Sequence, residues 1–167
     1  MQPTPVFSIR PKTENDTAWL RAHIADEWGG EPVITHNHIY LPSQLPGFLA
    51  VLSDHSAEIV GEVTYAIEGG VCEIVTLASL HEHVGIGTAL FNTVEAIARA
   101  EGCRRLMLIT TNDNLNALGF YQKRGMRLAA IYPNALDQVR IQKPNIPRVG
   151  MNDIPLRDEI LLEKRLT

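Results

Sequence analysis

Two glycines, Gly85 and Gly87, mark the part of the chain whose chemistry is easiest to interpret. They lie in the segment Glu82-His83-Val84-Gly85-Ile86-Gly87-Thr88, which follows an apolar strand-like run and opens an apolar helix. Glycines at such a junction leave backbone N–H groups exposed at a helix N-terminus, where unpaired donors and the helix dipole both favour negative charge. The spacing therefore predicts a site that holds the phosphate groups of a cofactor.

Two common phosphate-binding motifs do not fit this segment. A dinucleotide fold needs Gly-x-Gly-x-x-Gly after its first strand, but Leu90 takes the place of the third glycine and the junction lies mid-chain. A P-loop is excluded because no Gly-Lys-Ser/Thr follows the glycines. An NAD-dependent oxidoreductase is therefore a disfavoured alternative, and we expect no NAD binding.

Hydrophobic periodicity predicts the elements that position this junction. Three strand-like runs in the first half, two of them joined at Gly69-Gly70, are typical of an antiparallel meander. The strand–helix–strand order from Val71 onward requires a parallel crossover. The predicted elements are strands at 6–10, 48–52, 59–68, 71–80, 105–111, 126–132 and 160–164, and helices at about 16–28, 85–100, 115–124 and 134–142. This order predicts an α/β (α+β) fold in which helices flank a mixed sheet.

Composition limits the class of protein. The 167 residues are 45% hydrophobic and carry a net charge of −4, which favours a globular domain and argues against a nucleic-acid partner. No apolar run is long enough to span a membrane, and residues 1–5 lack a signal-peptide pattern, so we expect a cytoplasmic location. Cys72 and Cys103 fit neither a disulfide framework nor a zinc spacing, and we expect free buried thiols.

A second motif begins after the predicted strand at 105–111. Residues 114–126 contain the pattern Asn-x-x-Ala-x-x-Phe-Tyr-x-x-x-Gly-Met. Together with the glycine loop, this motif resembles the GNAT superfamily of acetyl-CoA-dependent N-acetyltransferases, over about residues 61–132. The resemblance implies a mixed, mostly antiparallel sheet of six or seven strands. Its two central parallel strands, at 71–80 and 105–111, splay apart and admit acetyl-CoA as the cosubstrate.

The resemblance also implies which residues bind that cosubstrate. The end of the strand would pair its backbone with the pantetheine arm, through Val75, Thr76 and Leu77. Asn114 matches an asparagine beside the cofactor, and it is equally suited to cap a helix. Glu82 stands where the family prefers Gln or Arg, so we expect its carboxylate to point away from the phosphates or to pair with a cation. The pyrophosphate would lie against His83, Val84, Gly85, Ile86, Gly87 and Thr88.

The activity implied by the resemblance is transfer of an acetyl group to a primary amine. Tyr121 matches the tyrosine that protonates the departing CoA thiolate; the alternative is a core tyrosine packed beside Phe120. One glutamate that family members use as a base is replaced here by Ile109. Histone-type members instead carry a glutamate base in a Glu-Ile-Val run, and Glu73-Ile74-Val75 matches that run. Glu73 is therefore the candidate base, which would take the proton directly or through a water. The alternative for Glu73 is a solvent-facing strand glutamate.

Ile109 and Glu82 keep a second function open, a non-catalytic acyl-CoA-binding or regulatory module on the same fold. For an enzyme, we expect a small-molecule or peptide amine as the acceptor, held by residues between 27 and 45 and between 133 and 159. Within the second segment, Arg157, Asp158 and Glu159 either bind the acceptor's charges or form an internal ion pair.

No metal is expected to take part. His36 and His38 would share one face if they lay on a strand, but no third ligand stands at a suitable spacing. No membrane partner is expected either, and residues 1–167 are expected to form a single N-acetyltransferase domain that is a monomer or a homodimer.

Overall fold

The computed structural model describes residues 4–36 and 38–167, and in these the chain folds into nine strands and four α-helices. Residues 1–3 of the N-terminal segment lie outside the described residues. The helices are α1 (Thr17–Trp28), α2 (Ile86–Ala100), α3 (Leu115–Gln122) and α4 (Ala135–Gln142). The strands are β1 (Phe7–Pro11), β2 (Val33–Thr35), β3 (His38–Tyr40), β4 (Gly47–Leu52), β5 (Ile59–Glu68), β6 (Val71–Ser79), β7 (Arg105–Thr111), β8 (Arg127–Tyr132) and β9 (Glu159–Arg165). Within the described part of the chain, none of these helices combines the length and apolar character needed to cross a membrane.

Seven strands form one sheet in the order β1-β4-β5-β6-β7-β9-β8. Strands β6 and β7 pair in parallel, and every other neighbouring pair in this sheet is antiparallel. The mixed, mostly antiparallel sheet predicted from the sequence is therefore confirmed, including the meander and the parallel crossover. The last strand, β9, inserts between β7 and the edge strand β8, so the segment that precedes it returns to the end of β7.

Helices α1 and α2 cover opposite faces of this sheet. Helix α2 buries Leu90, Phe91 and Val94 in a cluster that includes Ile74 of β6. Helix α1 buries Leu20 and Ile24 in a separate cluster with Val75, the next residue of the same strand. Consecutive strand residues point to opposite faces, so the two clusters lie on the two sides of β6.

The parallel strands β6 and β7 separate partway along their length. Their register runs from Val71 opposite Arg105 to Ile74 opposite Leu108. Both strands continue beyond that pair, and the register of β6 against β5 shifts between Thr64 and Tyr65, which leaves Val75 as an extra residue. Such a bulge bends its strand and increases its twist. The predicted splay between the central parallel strands is confirmed, and the bulge is its local cause.

A two-stranded hairpin, β2 and β3, lies outside the main sheet and was not predicted from the sequence. The connection from α1 to β2 is tied to the end of α4, because the ammonium of Lys143 donates to the carbonyls of Trp28, Gly30 and Pro32 at 2.6–2.8 Å. Burial lowers the pKa of Lys143. The two segments expected to hold the acceptor are therefore joined by one partly buried cation.

The start of α1 depends on an ion pair that should make stability sensitive to acid. Both nitrogens of the Arg10 fork contact Asp16 at 2.8 Å, and the Arg10 guanidinium holds the pKa of Asp16 far below its usual range. The stabilisation is therefore present above the unfolded pKa of about 3.9 and is lost as pH falls below it. We expect Asp16→Asn to lower the free energy of unfolding at neutral pH by about 1–2 kcal/mol, since Arg10 is partly exposed.

Urea denaturation of the wild type and of Asp16→Asn, repeated at neutral and at acid pH, measures this effect. The difference between the two proteins should shrink as pH falls below about 3.9. A difference of the same size at every pH would show that the carboxylate charge of Asp16 is not what stabilises the start of α1.

Candidate active site

The structure brings the two sequence motifs into contact. A Cβ atom placed on Gly87 would lie 3.2 Å from the ring of Phe120 and 3.9 Å from Cδ2 of Leu77. The guanidinium of Arg124 lies 3.5 Å from the centre of the same ring and donates to the hydroxyl of Thr88. The glycine loop, the end of β6 and helix α3 therefore meet at one place, at the open end of the splay.

The backbone of the glycine loop is shaped for an anion. Gly85 is the N-cap residue of α2, with a φ of 86° that L-amino acids with a side chain rarely adopt. The following N–H groups belong to the first turn of an α-helix and have no partner within it. His83 also has a positive φ, 62°, and its side chain is 93% exposed, so it leaves the backbone uncovered. This geometry fits the pyrophosphate of a bound coenzyme.

Residues 75–77 present backbone rather than side chains to the splay. Among the described residues, the register of β6 with β7 ends one residue before Val75, so the edge of β6 that faces β7 is open from there on. The side chains point elsewhere: Val75 and Leu77 pack into the two cores, and Thr76 donates to Glu62 at 2.8 Å. An open strand edge of this kind pairs with an extended chain that carries amide groups, as a pantetheine arm does.

Glu73 lies at the closed end of the splay and is buried, with 6% of its surface exposed. Its Oε1 accepts a hydrogen bond from the hydroxyl of Thr35 at 3.0 Å, and its Oε2 accepts one from the hydroxyl of Tyr40 at 2.6 Å. The alternative of a solvent-facing glutamate is therefore wrong, because the unpredicted hairpin covers this side chain. Burial raises the pKa of Tyr40 strongly, and its hydrogen bond to Glu73 adds to the rise.

A second carboxylate, that of Glu159, is buried near Glu73. Its Oε2 accepts a hydrogen bond from the backbone N–H of His36 at 2.8 Å. Burial raises the pKa of Glu159, and the nearby charge of Glu73 acts in the same direction. Arg157 and Asp158 pair with each other at 3.1 Å, which is the internal ion pair considered as one alternative for this run.

The two histidines do not share a face. His36 lies in the turn of the hairpin with a φ of 40°, and its ring stacks on Tyr132 at 3.5 Å. His38 begins β3, and its Nδ1 lies 3.1 Å from the hydroxyl of Tyr40. The condition for a shared face, that both lie on one strand, is not met because β2 ends at Thr35, before His36, and His38 begins the next strand. Within the described residues, no group of three or more His, Cys, Asp or Glu side chains is arranged to hold a metal ion.

Tyr121 lies on α3 in the main core, where its ring contacts those of Phe91 and Phe120. Burial raises the pKa of Tyr121 strongly, with a further contribution from the charge of Glu62. The hydroxyl therefore stays protonated at neutral pH and remains a donor. The alternative, a core tyrosine packed beside Phe120, is correct for the ring of Tyr121. That its hydroxyl protonates the departing thiolate stays a prediction.

Two further residues of the predicted site, Asn114 and Glu82, lie at the start of α3 and at the start of the glycine loop. Asn114 caps α3, since its side-chain oxygen accepts from the N–H of Ala117 at 3.1 Å. Glu82 is 83% exposed at its side chain, and its Oε2 lies 3.7 Å from Nε2 of His83. The expectation that Glu82 avoids bound phosphates stays a prediction.

Sequence reasoning missed two sets of residues near this site. Thr35 and Tyr40 hold Glu73, yet each lies on a strand of three residues, too short for a reliable pattern. The other set is a buried pair, His23 of α1 and Glu62 of β5, whose Nε2 and Oε1 atoms lie 3.6 Å apart. Burial lowers the pKa of His23, but the close contact and the charge of Glu62, with the charges of Glu27 and Asp26, together raise it overall. An acidic residue within an apolar strand run was the available signal for Glu62.

Comparisons with known proteins agree with this geometry. The model of a family described as acetyltransferase (GNAT) matches residues 14–126. The uncharacterised protein YdhI of Bacillus subtilis (strain 168) is 46% identical over 156 residues, which are 93% of this chain and 96% of YdhI. The structure of the IAA acetyltransferase from Bacillus cereus ATCC 14579 matches with a TM-score of 0.73 and 21% identity, over 96% of this chain and all of that one. A GNAT family acetyltransferase from Elizabethkingia anophelis, solved with acetyl-CoA bound, matches with a TM-score of 0.66 and 24% identity, over 96% and 98% of the two chains.

Proposed function

Since the chain belongs to the acetyltransferase (GNAT) family, we propose that it is an enzyme that moves the acetyl group of acetyl-CoA to a primary amine. The observation that carries this proposal is the splay between β6 and β7. The buried carboxylate of Glu73 lies at its closed end and the glycine loop at its open end. A thioester held along β6 would then lie next to Glu73 as the proton acceptor, and the phosphates of the same coenzyme would lie against the glycine loop.

Binding of acetyl-CoA would rest mainly on the backbone. Residues 83–88 would hold the pyrophosphate through N–H groups, and residues 75–77 would pair with the amides of the pantetheine arm. Asn114 would lie beside the bound molecule, next to the loop. The coenzyme-bound relative from Elizabethkingia anophelis supports this use of the fold. Because backbone atoms would supply these contacts, a glutamate at position 82, where the family prefers Gln or Arg, would remove only one side-chain contact with the coenzyme.

Chemistry would then need two proton transfers. Glu73 would take a proton from the acceptor amine, which is mostly ammonium at neutral pH and must lose a proton before it attacks the thioester. Backbone N–H near Leu77 would polarise the thioester carbonyl, and Tyr121 would donate to the departing thiolate. Holding the amine and the thioester side by side would supply much of the rate.

The acceptor would enter from the side of the hairpin. Lys143 ties segment 133–159 to segment 27–45, in which Tyr40 contacts Glu73 and His36 contacts Glu159. Since β1 and β9 stand on either side of the region that the family model matches, we also propose that residues 1–167 act as one domain.

Release of free CoA thiol from acetyl-CoA, measured with a panel of primary amines, tests this function. We expect at least one amine to raise thiol release well above the rate of hydrolysis. The competing function, a non-catalytic acyl-CoA-binding module, predicts tight binding of acetyl-CoA and no thiol release with any amine in a broad panel.

A further inference from the structure

Three side chains form a continuous hydrogen-bonded path from the candidate base to the surface. The hydroxyl of Tyr40 donates to Oε2 of Glu73 at 2.6 Å, and the same hydroxyl oxygen lies 3.1 Å from Nδ1 of His38. Glu73 is buried, Tyr40 is partly buried and His38 is exposed. The path therefore leads from the closed end of the splay to bulk water in two steps.

We propose that Glu73, Tyr40 and His38 are a proton wire that carries the acceptor's proton from the active site to solvent. The proposal rests on the proposed function, because Glu73 must first take that proton from the amine. It adds Tyr40 and His38 as proton carriers to the reaction, and it gives the hairpin of β2 and β3 a catalytic purpose.

A buried base needs such a path on every turnover. After Glu73 has accepted a proton, it must lose that proton before the next amine can be activated. Its other oxygen, Oε1, is occupied by the hydroxyl of Thr35, and the nearby Glu159 is already engaged with the backbone N–H of His36. The hydrogen bond to Tyr40 is the contact that leads outward.

The transfer balances without any further reactant. While Glu73 is charged, the hydroxyl of Tyr40 donates to its Oε2. Once Oε2 carries the proton of the amine, the Tyr40 hydroxyl turns to donate to the unprotonated Nδ1 of His38 and accepts a hydrogen bond from Glu73. The proton on Oε2 then moves to the oxygen of Tyr40 while the hydroxyl proton of Tyr40 moves to Nδ1 of His38. The O–H bond on Glu73 breaks and an N–H bond on His38 forms, so the neutral acid and the neutral imidazole become a carboxylate and an imidazolium. The imidazolium then releases the proton on Nε2 to water, which leaves the ring in its other tautomer. Proton exchange between the two ring nitrogens and water restores the starting tautomer, since imidazole exchanges protons readily near neutral pH.

The chemistry of each member suits its place. Tyr40 does not ionise at neutral pH, because burial and the bond to Glu73 raise its pKa, so it passes protons as a neutral hydroxyl. The other ionisable groups around the path are Glu159 on β9, Glu68 on β5 and Cys72 next to Glu73. Burial raises the pKa of Cys72 to about 12, so that thiol carries no charge.

The proton wire is tested by the rate of acetyl transfer to an amine that the protein acetylates, measured at several pH values and buffer concentrations. We expect Tyr40→Phe to lower kcat by about tenfold and to change the pH profile. This loss is smaller than the 10²- to 10⁴-fold that a general base itself typically contributes. We expect His38→Ala to lower kcat in dilute buffer and added imidazole to restore it, because an exposed carrier can be replaced from solution. The KM for acetyl-CoA should stay unchanged in both variants.

Matched controls separate this role from loss of packing. Tyr65→Phe removes a tyrosine hydroxyl from the neighbouring strand, and His55→Ala removes an exposed histidine from the turn between β4 and β5. Both should keep the rate and the pH profile of the wild type, with no response to imidazole.

Failure of the proton wire and failure of the proposed acetyl transfer give different results. If the wild type acetylates an amine while Tyr40→Phe keeps its full rate and pH profile, or while imidazole fails to restore His38→Ala, the wire is overturned and the enzyme stands. A wild type that binds acetyl-CoA and acetylates no amine overturns the proposed function and the wire together.

Discussion

Glutamine in place of Glu73 should lower kcat for acetyl transfer by about 10²- to 10⁴-fold, the usual contribution of a general base. The amide of glutamine has nearly the shape of the carboxylate and still accepts the hydrogen bond from Thr35 or Tyr40, but it does not take a proton from an ammonium ion. The loss should therefore fall on kcat and leave the KM for acetyl-CoA almost unchanged. Steady-state rates at several pH values measure it.

The matched control for this variant is Glu58→Gln, which changes an exposed glutamate at the start of β5. It carries the same change in charge and should keep the wild-type rate. A Glu73→Gln protein that keeps the wild-type kcat at every pH would remove Glu73 from the mechanism and leave a water or the buried Glu159 as the proton acceptor.

The second large effect is expected from Tyr121→Phe. Removing the hydroxyl leaves the ring and its contacts with Phe91 and Phe120 in place, so the thermal unfolding midpoint should change little. If the hydroxyl donates to the departing thiolate, kcat should fall by about 10²-fold, at the lower end of the range for general acids, since a thiolate is a good leaving group.

The direction of the pH dependence sharpens this test. Because burial raises the pKa of Tyr121, its hydroxyl stays protonated across the neutral range, and the wild type should keep its donor there. Activity of Tyr121→Phe should therefore be reduced by the same factor throughout that range. Tyr65→Phe again serves as the control for loss of a buried hydroxyl. An unchanged kcat in Tyr121→Phe would leave Tyr121 as a core residue only.

The long periodic elements were predictable because their patterns are local. Helix α2 repeats its buried residues with helical spacing. Strand β5 ends at the Gly69-Gly70 turn, and the predicted and observed bounds of β5 coincide. The splay followed from two motifs that resemble those of a known family. The fold was therefore within reach of the sequence, whereas the residues assigned to the cosubstrate stay a prediction.

The surroundings of Glu73 were not predictable, because they depend on contacts between distant parts of the chain. Glu73 has a polar side chain within an apolar strand, and nothing local indicates that a hairpin covers it. The hydroxyl that bonds its Oε1 belongs to Thr35, 38 residues away in the sequence. The contact between His36 and Glu159 spans 123 residues. The insertion of β9 between β7 and β8 likewise depends on sheet pairing that no short pattern specifies.

The most direct test of the central claim is mass spectrometry of a primary amine incubated with the protein and acetyl-CoA labelled in its acetyl group. We expect an amine to gain the labelled acetyl group as an amide, with one free thiol released for each amide formed. We also expect the Glu73→Gln protein to form this amide far more slowly. Tight binding of acetyl-CoA without labelled amide from any amine would contradict the proposed acetyl transfer.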